Sequence, residues 1–75
     1  MYIGTGKHYI RKVENLGETI TLDDNSVWKV SFMDKTKSMM WLTTENVNVS
    51  SYMGDKFKIT HIKRNETVDA TFLPG

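Results

Sequence analysis

The sequence predicts an all-β fold: a small, partly open antiparallel barrel of five to six strands, SH3-like or OB-like in type. Three observations lead to this prediction. Apolar and polar residues alternate with period two along most of the chain, and Asn- and Asp-rich turns separate the alternating runs. The chain of 75 residues is also too short for a two-sheet sandwich of immunoglobulin size. A short sheet that bends into a barrel loses most of its free edges.

Six runs have the length and composition of strands. The first covers residues 8–14, contains Tyr9, Ile10 and Val13, and precedes Gly17. In the other five, β-branched or aromatic residues alternate with polar ones, as in a strand that buries one face. These five runs are ETITL (18–22), VWKVSF (27–32), NVNV (46–49), KFKIT (56–60) and TVDATF (67–72).

Turn-forming residues connect the runs. The sequence DDNS at 23–26 predicts a hairpin in which Asn25 adopts a positive φ angle. The sequence RNE at 64–66 predicts a second hairpin, with Asn65 in the same role. Gly54 and Asp55 separate the two runs that precede this second hairpin.

Trp28 is predicted to be a core residue rather than an exposed platform for a ligand. Its run places Trp28, Val30 and Phe32 on one face, and the acidic turn pairs that run with Ile20 and Leu22. Once one face of a hairpin is buried, its register places the whole set inside. Burial of an aromatic side chain of this size contributes on the order of 3 kcal/mol.

The segment between the third and fourth runs has no clear alternation. Residues 34–38 predict a polar loop, and at most one helical turn is expected, near residues 43–46. In SMMWL (38–42), parity cannot assign the face of Trp41, which either plugs an end of the barrel or belongs to an exposed, adaptable contact surface. The candidates for ligand contact are Met39, Met40 and Trp41.

The net charge of +1 gives the chain no general attraction to nucleic acid or membrane, but its basic residues are clustered. If the first strand lies beside the strand that begins at Lys56, the two basic stretches, 7–12 and 56–64, merge into one face. With Tyr9, and with His61 as a further candidate ring, that face resembles a nucleic-acid platform. Alternatively, these cations only keep exposed strand positions soluble. The basic-face candidates are Lys7, Arg11, Lys12, Lys56, Lys58, Lys63 and Arg64.

The sequence offers no recognisable catalytic, cofactor or metal site. There is no cysteine, and the two histidines, His8 and His61, have no ligand spacing around them. His61 shares parity with Phe57 and Ile59, so we expect a half-buried strand residue. We therefore predict no enzymatic activity, no cofactor and no bound metal.

The chain is predicted to form a single domain over residues 1–75. No apolar run approaches membrane-spanning length, and the first ten residues lack the apolar region of a secretory signal. We therefore expect a soluble protein without a membrane span. Both the cytoplasm and secretion as a mature form agree with the sequence, and the oligomeric state stays open.

The stretch GETITLDDNSVWKV (17–30) resembles a pattern in a group of small bacterial proteins with no assigned function. In that pattern an Asp-Gly-Ser turn precedes Trp-x-Val, and a loop, a second Trp, a Val-x-Val run and a final hairpin follow. Trp41, the run 46–49 and the final hairpin occur here in the matching order, although Asn25 replaces the glycine. The resemblance implies an SH3-like or OB-like small barrel, and it implies no function.

The function predicted from the sequence is that of a non-catalytic binding module. Small barrels bind proteins or peptides by strand addition at an open edge or by contacts in a groove. A protein or peptide partner is therefore the first expectation, with the contact at Met39, Met40 and Trp41. The alternative is a nucleic-acid-binding barrel that uses the basic stretches 7–12 and 56–64.

Overall fold

The computed structural model describes residues 4–53 and 56–73, in which the chain forms six strands and one short helix. The strands are antiparallel and follow the order β1-β2-β3-β6-β5-β4 around a closed barrel. The predicted small all-β barrel is thus confirmed, although it is closed rather than partly open. Gly54 and Asp55 lie outside the described residues. The elements are β1 (Gly6–Glu14), β2 (Thr19–Leu22), β3 (Val27–Val30), α1 (Lys35–Ser38), β4 (Asn46–Met53), β5 (Lys56–His61) and β6 (Glu66–Leu73).

The barrel closes because β1 is long enough to pair with two neighbours. Its first half, from Gly6 to Tyr9, pairs with β4, and its second half, from Ile10 to Glu14, pairs with β2. The register shifts between Ile10 and Lys12, and an irregularity of this kind bends a strand sharply. As a result, each of the six strands described here has a partner on both sides.

The barrel interior holds the apolar face of each alternating run. Trp28 is fully buried, and its ring meets Phe57 edge-on at 5.0 Å and Phe72 at 5.4 Å between centroids. The predicted core position of Trp28 is therefore confirmed. The buried apolar residues are Ile10, Ile20, Leu22, Trp28, Val30, Trp41, Val47, Val49, Phe57, Ile59, Val68 and Ala70.

Both predicted hairpin turns are confirmed. Asn25 adopts a φ of 67° between β2 and β3, and Asn65 adopts 54° between β5 and β6. Asparagine tolerates this left-handed region better than most residues that carry a Cβ.

The predicted inward position of Phe32 is wrong, since the side chain is 77% exposed. The third strand ends at Val30 rather than continuing to residue 32. The Ser31 carbonyl oxygen accepts the N–H groups of Asp34 and Lys35, so the chain turns towards α1 and the period-two alternation stops.

The helical turn is also displaced from its predicted place. Residues Lys35–Ser38 form α1 where a polar loop was predicted, and no helix forms over residues 43–46. Thr44 instead takes a φ of 70° and donates its N–H to the Ile10 carbonyl oxygen at 2.7 Å. A left-handed residue fixed in this way is incompatible with a right-handed helical turn.

Candidate functional site

The crossover between β3 and β4, residues 31–45, concentrates exposed apolar side chains. Within it, Met39 is 45% exposed and Met40 is 58% exposed, and Leu42 is also exposed. Single exposed apolar residues are common on soluble proteins, whereas several together indicate an interaction surface. The structure thus leaves two of the three predicted contact residues, Met39 and Met40, accessible to a partner.

The turn between β1 and β2 brings a further apolar side chain to this surface. The buried Ser38 hydroxyl donates a hydrogen bond to the Gly17 carbonyl oxygen at 2.6 Å. Gly17, with a φ of 90°, lies directly against the backbone of Met39, and Leu16 beside it is exposed. We refer to Leu16, Met39, Met40 and Leu42 as the crossover patch.

Trp41 does not belong to the crossover patch, because its side chain is only 2% exposed and is part of the core. The indole of Trp41 is therefore not part of the predicted contact surface. Its burial agrees with the alternative prediction, in which Trp41 plugs an end of the barrel. The indole N–H donates to Glu66 Oε1 at 3.0 Å, and the ring lies 5.2 Å from that of His61. The buried Trp41 side chain therefore anchors the crossover to the core of the barrel.

His61 is completely buried rather than half-buried, on the inward face that it shares with Phe57 and Ile59. Its Nδ1 accepts the Arg64 N–H at 3.2 Å, which leaves the ring proton on Nε2. Nε2 lies 2.8 Å from Glu45 Oε1, but the angle is too bent for a good hydrogen bond.

Glu45 connects His61 to the crossover. Its Oε1 accepts the Leu42 N–H at 2.7 Å. This backbone hydrogen bond first, and the contact with His61 second, lower the pKa of the Glu45 carboxyl. The charged carboxylate therefore holds the turn after Trp41 in place.

The two basic stretches do not merge into one face, because β4 lies between β1 and β5 in the barrel. The outward residues Asn46, Asn48 and Ser50 of β4 form an uncharged strip between them. Lys7 lies opposite Asn48, and Asn48 lies opposite Thr60. The sequence could not reveal this order, since strand neighbours depend on the topology of the whole barrel.

Several of the basic-face candidates already have partners. Lys58 Nζ lies 2.9 Å from Asp69 Oδ1, and Lys12 Nζ lies 3.9 Å from Glu14 Oε1. Arg11 donates to the Asn25 side-chain oxygen at 2.7 Å. The two ion pairs reduce the charge available to a polyanion on either stretch, whereas the bond to the uncharged amide of Asn25 leaves the charge of Arg11 in place. Lys7, Lys56, Lys63 and Arg64 are exposed.

The Asp-x-Ser-x-Trp motif of the β2–β3 hairpin has a structural role. The indole N–H of Trp28 donates to the Ser26 hydroxyl at 2.9 Å, and that hydroxyl donates to Asp24 Oδ1 at 2.5 Å. The same carboxylate oxygen accepts the Ser26 backbone N–H at 3.0 Å. This chain of bonds satisfies the polar atom of a buried tryptophan, so the motif specifies the hairpin.

His8, Asp23 and Asp24 form the one group of potential metal ligands found among the described residues. His8 Nδ1 lies 2.5 Å from Asp23 Oδ1, and Nε2 contacts the Gly4 carbonyl oxygen. Both partners are acceptors, so the ring satisfies them only as a doubly protonated imidazolium, which has no lone pair for a metal. In this arrangement His8 and Asp23 form an ion pair, and the His8 ring links Gly4 to the β2–β3 hairpin.

The pKa of His8 reflects this environment. Burial lowers the pKa, but the hydrogen bonds to the Gly4 carbonyl and the Asp23 carboxylate raise it by more, so the net direction is upward. Both histidines of the chain thus make structural contacts. Neither is arranged with a nucleophile in the contacts described above.

No protein-family model, curated protein or solved structure matches this chain. Within residues 4–53 and 56–73, no helix has the length and apolar character needed to cross a membrane. The functional assignment therefore depends on the surfaces of the barrel itself. Among the described residues, the crossover brings three exposed apolar side chains, Met39, Met40 and Leu42, into four consecutive positions.

Proposed function

We propose that the protein is a non-catalytic module that binds a protein or peptide partner through the crossover patch. The observation that supports this proposal is the exposure of Met39, Met40 and Leu42 on one segment, together with exposed Leu16 on the turn whose Gly17 lies against the Met39 backbone. The bond from Ser38 to Gly17 fixes the underlying backbone, so the patch is a preformed surface.

Contact with a surface or groove is the mode of binding that this barrel favours. Addition of a strand requires a free edge, and each of the six described strands already has a neighbour on both sides over part of its length, which leaves only short free edges. Methionine side chains are flexible and polarizable, so Met39 and Met40 can adapt to partners of different shape. A partner would bury these side chains without opening the barrel.

The charges next to the patch indicate the chemistry of the partner. Lys35 and Lys37 belong to α1, directly before Met39. Lys37 is only loosely engaged, since its Nζ lies 3.6 Å from Asp34 Oδ1 and 3.5 Å from the Thr67 carbonyl oxygen. A segment that combines apolar side chains with flanking carboxylates would bury the methionines and neutralise the two lysines. We therefore propose an acidic, apolar segment of another protein as the ligand.

The proposal extends to the type of barrel. A first strand that bends and pairs with both β2 and β4 supports an SH3-like or OB-like architecture. The bonds from Trp28 through Ser26 to Asp24 give the resemblance to the small bacterial proteins a physical basis. The nucleic-acid alternative in its predicted form has less support, because β4 separates the two basic stretches.

Selection from a displayed peptide library on the wild-type barrel tests the proposed function. We expect enriched peptides to combine apolar residues with Asp or Glu. A barrel with Met39→Glu and Met40→Glu should bind them at least about tenfold more weakly, because it loses buried apolar area and repels the carboxylates. The affinities are measured by fluorescence anisotropy of the labelled peptides.

Ile62→Glu is the control, since Ile62 is an exposed apolar residue on the β5–β6 turn and is not one of the crossover patch residues. This variant should keep wild-type affinity. Selected peptides that bind the Met39/Met40 variant as tightly as the wild type would contradict the proposed site. Enrichment of basic peptides would contradict the proposed partner, and concentration-dependent self-association lost in that variant would replace the partner with a second copy of the chain.

A further inference from the structure

A cleft of about 550 Å³ lies on the outer face of β3, β6 and β5, and none of the crossover patch residues line it. Its floor contains one row of residues across three strands. Lys29 on β3 lies opposite Thr71 on β6, and Thr71 lies opposite Lys56 on β5. The two lysines are therefore two strand spacings apart, about 10 Å, with a hydroxyl between them. In the part of the chain that the structure describes, neither lysine forms an ion pair.

Among the described residues that line the cleft, Asp69 is the one with a carboxylate, and it lies in the next row of the floor. Ser31, the residue directly after β3, donates its N–H to the Asp69 carbonyl oxygen, and Lys58 on β5 lies opposite Asp69. The Asp69 carboxylate is 2.9 Å from Lys58 Nζ, so it is already neutralised. The positive charges of Lys29 and Lys56 thus remain available to an anion.

Two exposed aromatic rings form the walls of the cleft. Phe32 stands at its β3 side and Tyr52 at its β4 side, and both lie outside the core. Lys35 Nζ lies 4.6 Å from the centre of the Phe32 ring, and Lys58 Nζ lies 4.4 Å from that of Tyr52. The ammonium groups lie over these rings, and the Phe32 and Tyr52 side chains are still 77% and 51% exposed, so ring surface remains accessible to a planar ligand.

This combination of groups matches one class of ligand. Planar rings suit aromatic bases, and unpaired ammonium groups beside a hydroxyl suit phosphates. We propose that the cleft binds single-stranded nucleic acid, with bases stacked on Phe32 and Tyr52 and phosphates held by Lys29 and Lys56. This site is separate from the crossover patch and does not depend on the proposed protein-binding function.

The geometry favours a single strand over a duplex. In a duplex the bases stack on each other and their faces are inaccessible, whereas a single strand can turn its bases onto protein rings. The cleft also uses a different face from the one predicted by the sequence. Of the predicted basic residues it contains Lys56 and borders Lys58, while Lys29, Phe32 and Tyr52 were missed.

Fluorescence anisotropy with a labelled single-stranded oligonucleotide of about 12 nucleotides tests the site. The wild-type barrel should bind, and affinity should fall as salt rises from about 50 to about 200 mM. Lys29→Glu with Lys56→Glu should weaken binding more than about tenfold and make the slope of log affinity against log salt shallower by roughly 1.4.

Phe32→Ala and Tyr52→Ala should each weaken binding by about tenfold, because each removes one stacking surface. Lys7→Glu with Lys63→Glu makes the same change in net charge outside the cleft, and Tyr9→Ala removes an exposed ring outside it. These controls should change affinity less than about twofold. The Met39/Met40 variant should also bind normally, which separates this site from the crossover patch.

Several results would overturn the proposal. The first is an oligonucleotide that does not bind at low salt, and the second is a control that loses as much affinity as the cleft variants. A duplex or polyglutamate that competes as well as the single strand would show general attraction of anions. A mononucleotide that binds as tightly as the oligonucleotide would make the ligand a free nucleotide and not a strand.

Discussion

The two tryptophans of this chain occupy the same core but are held by contacts of different range. Trp28 donates its indole N–H to Ser26, two residues earlier on the same hairpin. Trp41 donates to Glu66, which lies 25 residues later on β6. The β2–β3 hairpin is therefore specified locally, whereas the crossover takes its conformation from the rest of the barrel.

The difference explains where the exposed apolar groups lie. In the hairpin, alternation, turn and buried polar bond all favour the same register, and no large apolar side chain of β2 or β3 is exposed. In the crossover, Trp41 and Ser38 face inward, while Met39, Met40 and Leu42 face outward. A segment anchored at only a few points can present side chains for contact, which is the role that we propose for it.

The largest effect is expected from Gly17→Ala, at the contact between the β1–β2 turn and the crossover. A Cβ on Gly17 would lie 2.6 Å from the Lys35 carbonyl oxygen and closer still to the Met39 amide nitrogen. Both are backbone atoms, and the φ of 90° adds strain, so we expect a loss of about 3 kcal/mol or more in the free energy of unfolding. Urea denaturation followed by tryptophan fluorescence measures this loss.

Gly6→Ala provides the matched control for that substitution. Gly6 also has a positive φ, of 121°, but a Cβ there would meet no atom within 4 Å. It should cost only the backbone strain, on the order of 1–2 kcal/mol. Equal losses for the two variants would show that the β1–β2 turn is not packed tightly on α1.

A smaller loss of stability is expected when either acceptor of an indole N–H group is removed, and the two losses should differ. Ser26→Ala leaves the fully buried N–H of Trp28 without its acceptor, at a cost of about 1–3 kcal/mol. Glu66→Ala should cost less than about 1 kcal/mol, because the bond from Trp41 is only partly buried and water can replace the carboxylate. Chemical denaturation of both variants tests the difference.

Trp28→Phe removes the N–H while keeping an aromatic ring, so it completes a double-mutant cycle with Ser26→Ala. In the Trp28→Phe background, Ser26→Ala should cost clearly less than in the wild type. An unchanged cost would mean that Ser26 stabilises the hairpin through Asp24 alone and not through the tryptophan.

The same contrast between local and long-range contacts determines what the sequence could predict. Strand parity identified the buried faces, and the preference of asparagine for positive φ identified both tight turns. Parity was misleading at Phe32, because the strand ends two residues earlier, where Ser31 begins the turn into α1. The bonds of Ser38 to Gly17 and of Trp41 to Glu66 join residues 21 and 25 positions apart, and such pairs appear only once the topology is known.

The proposed surfaces were predictable to different degrees. Met39 and Met40 stood out because an apolar run without alternation cannot be wholly buried in a strand. The cleft between Phe32 and Tyr52 could not be predicted, because it combines β3, β6 and β5 and depends on which strands are adjacent. The expected merger of the basic stretches did not occur for the same reason.

The smallest predicted effect is on the pH dependence of stability. It comes from the ion pair of His8 with Asp23, in which the His8 ring also contacts Gly4. The raised pKa of His8 means that the folded state binds its proton more tightly than the unfolded state does. The resulting stabilisation should be complete below the unfolded value of about 6.5 and lost as the pH rises through the folded value. His8→Gln should therefore destabilise the barrel at about pH 5.5 but have little effect at about pH 8.5.

Comparison of the wild type with His8→Gln at each pH cancels the pH dependence that comes from groups not in contact with His8. The loss should remain below that of Ser26→Ala, because the His8 pair is partly open to water and screened by it. In an NMR titration the His8 ring should show a pKa above 6.5, and Asp23→Asn should lower it by removing the carboxylate charge. A His8 pKa that does not respond to Asp23→Asn would mean that the hairpin turn and the segment at Gly4 are not coupled through this ring.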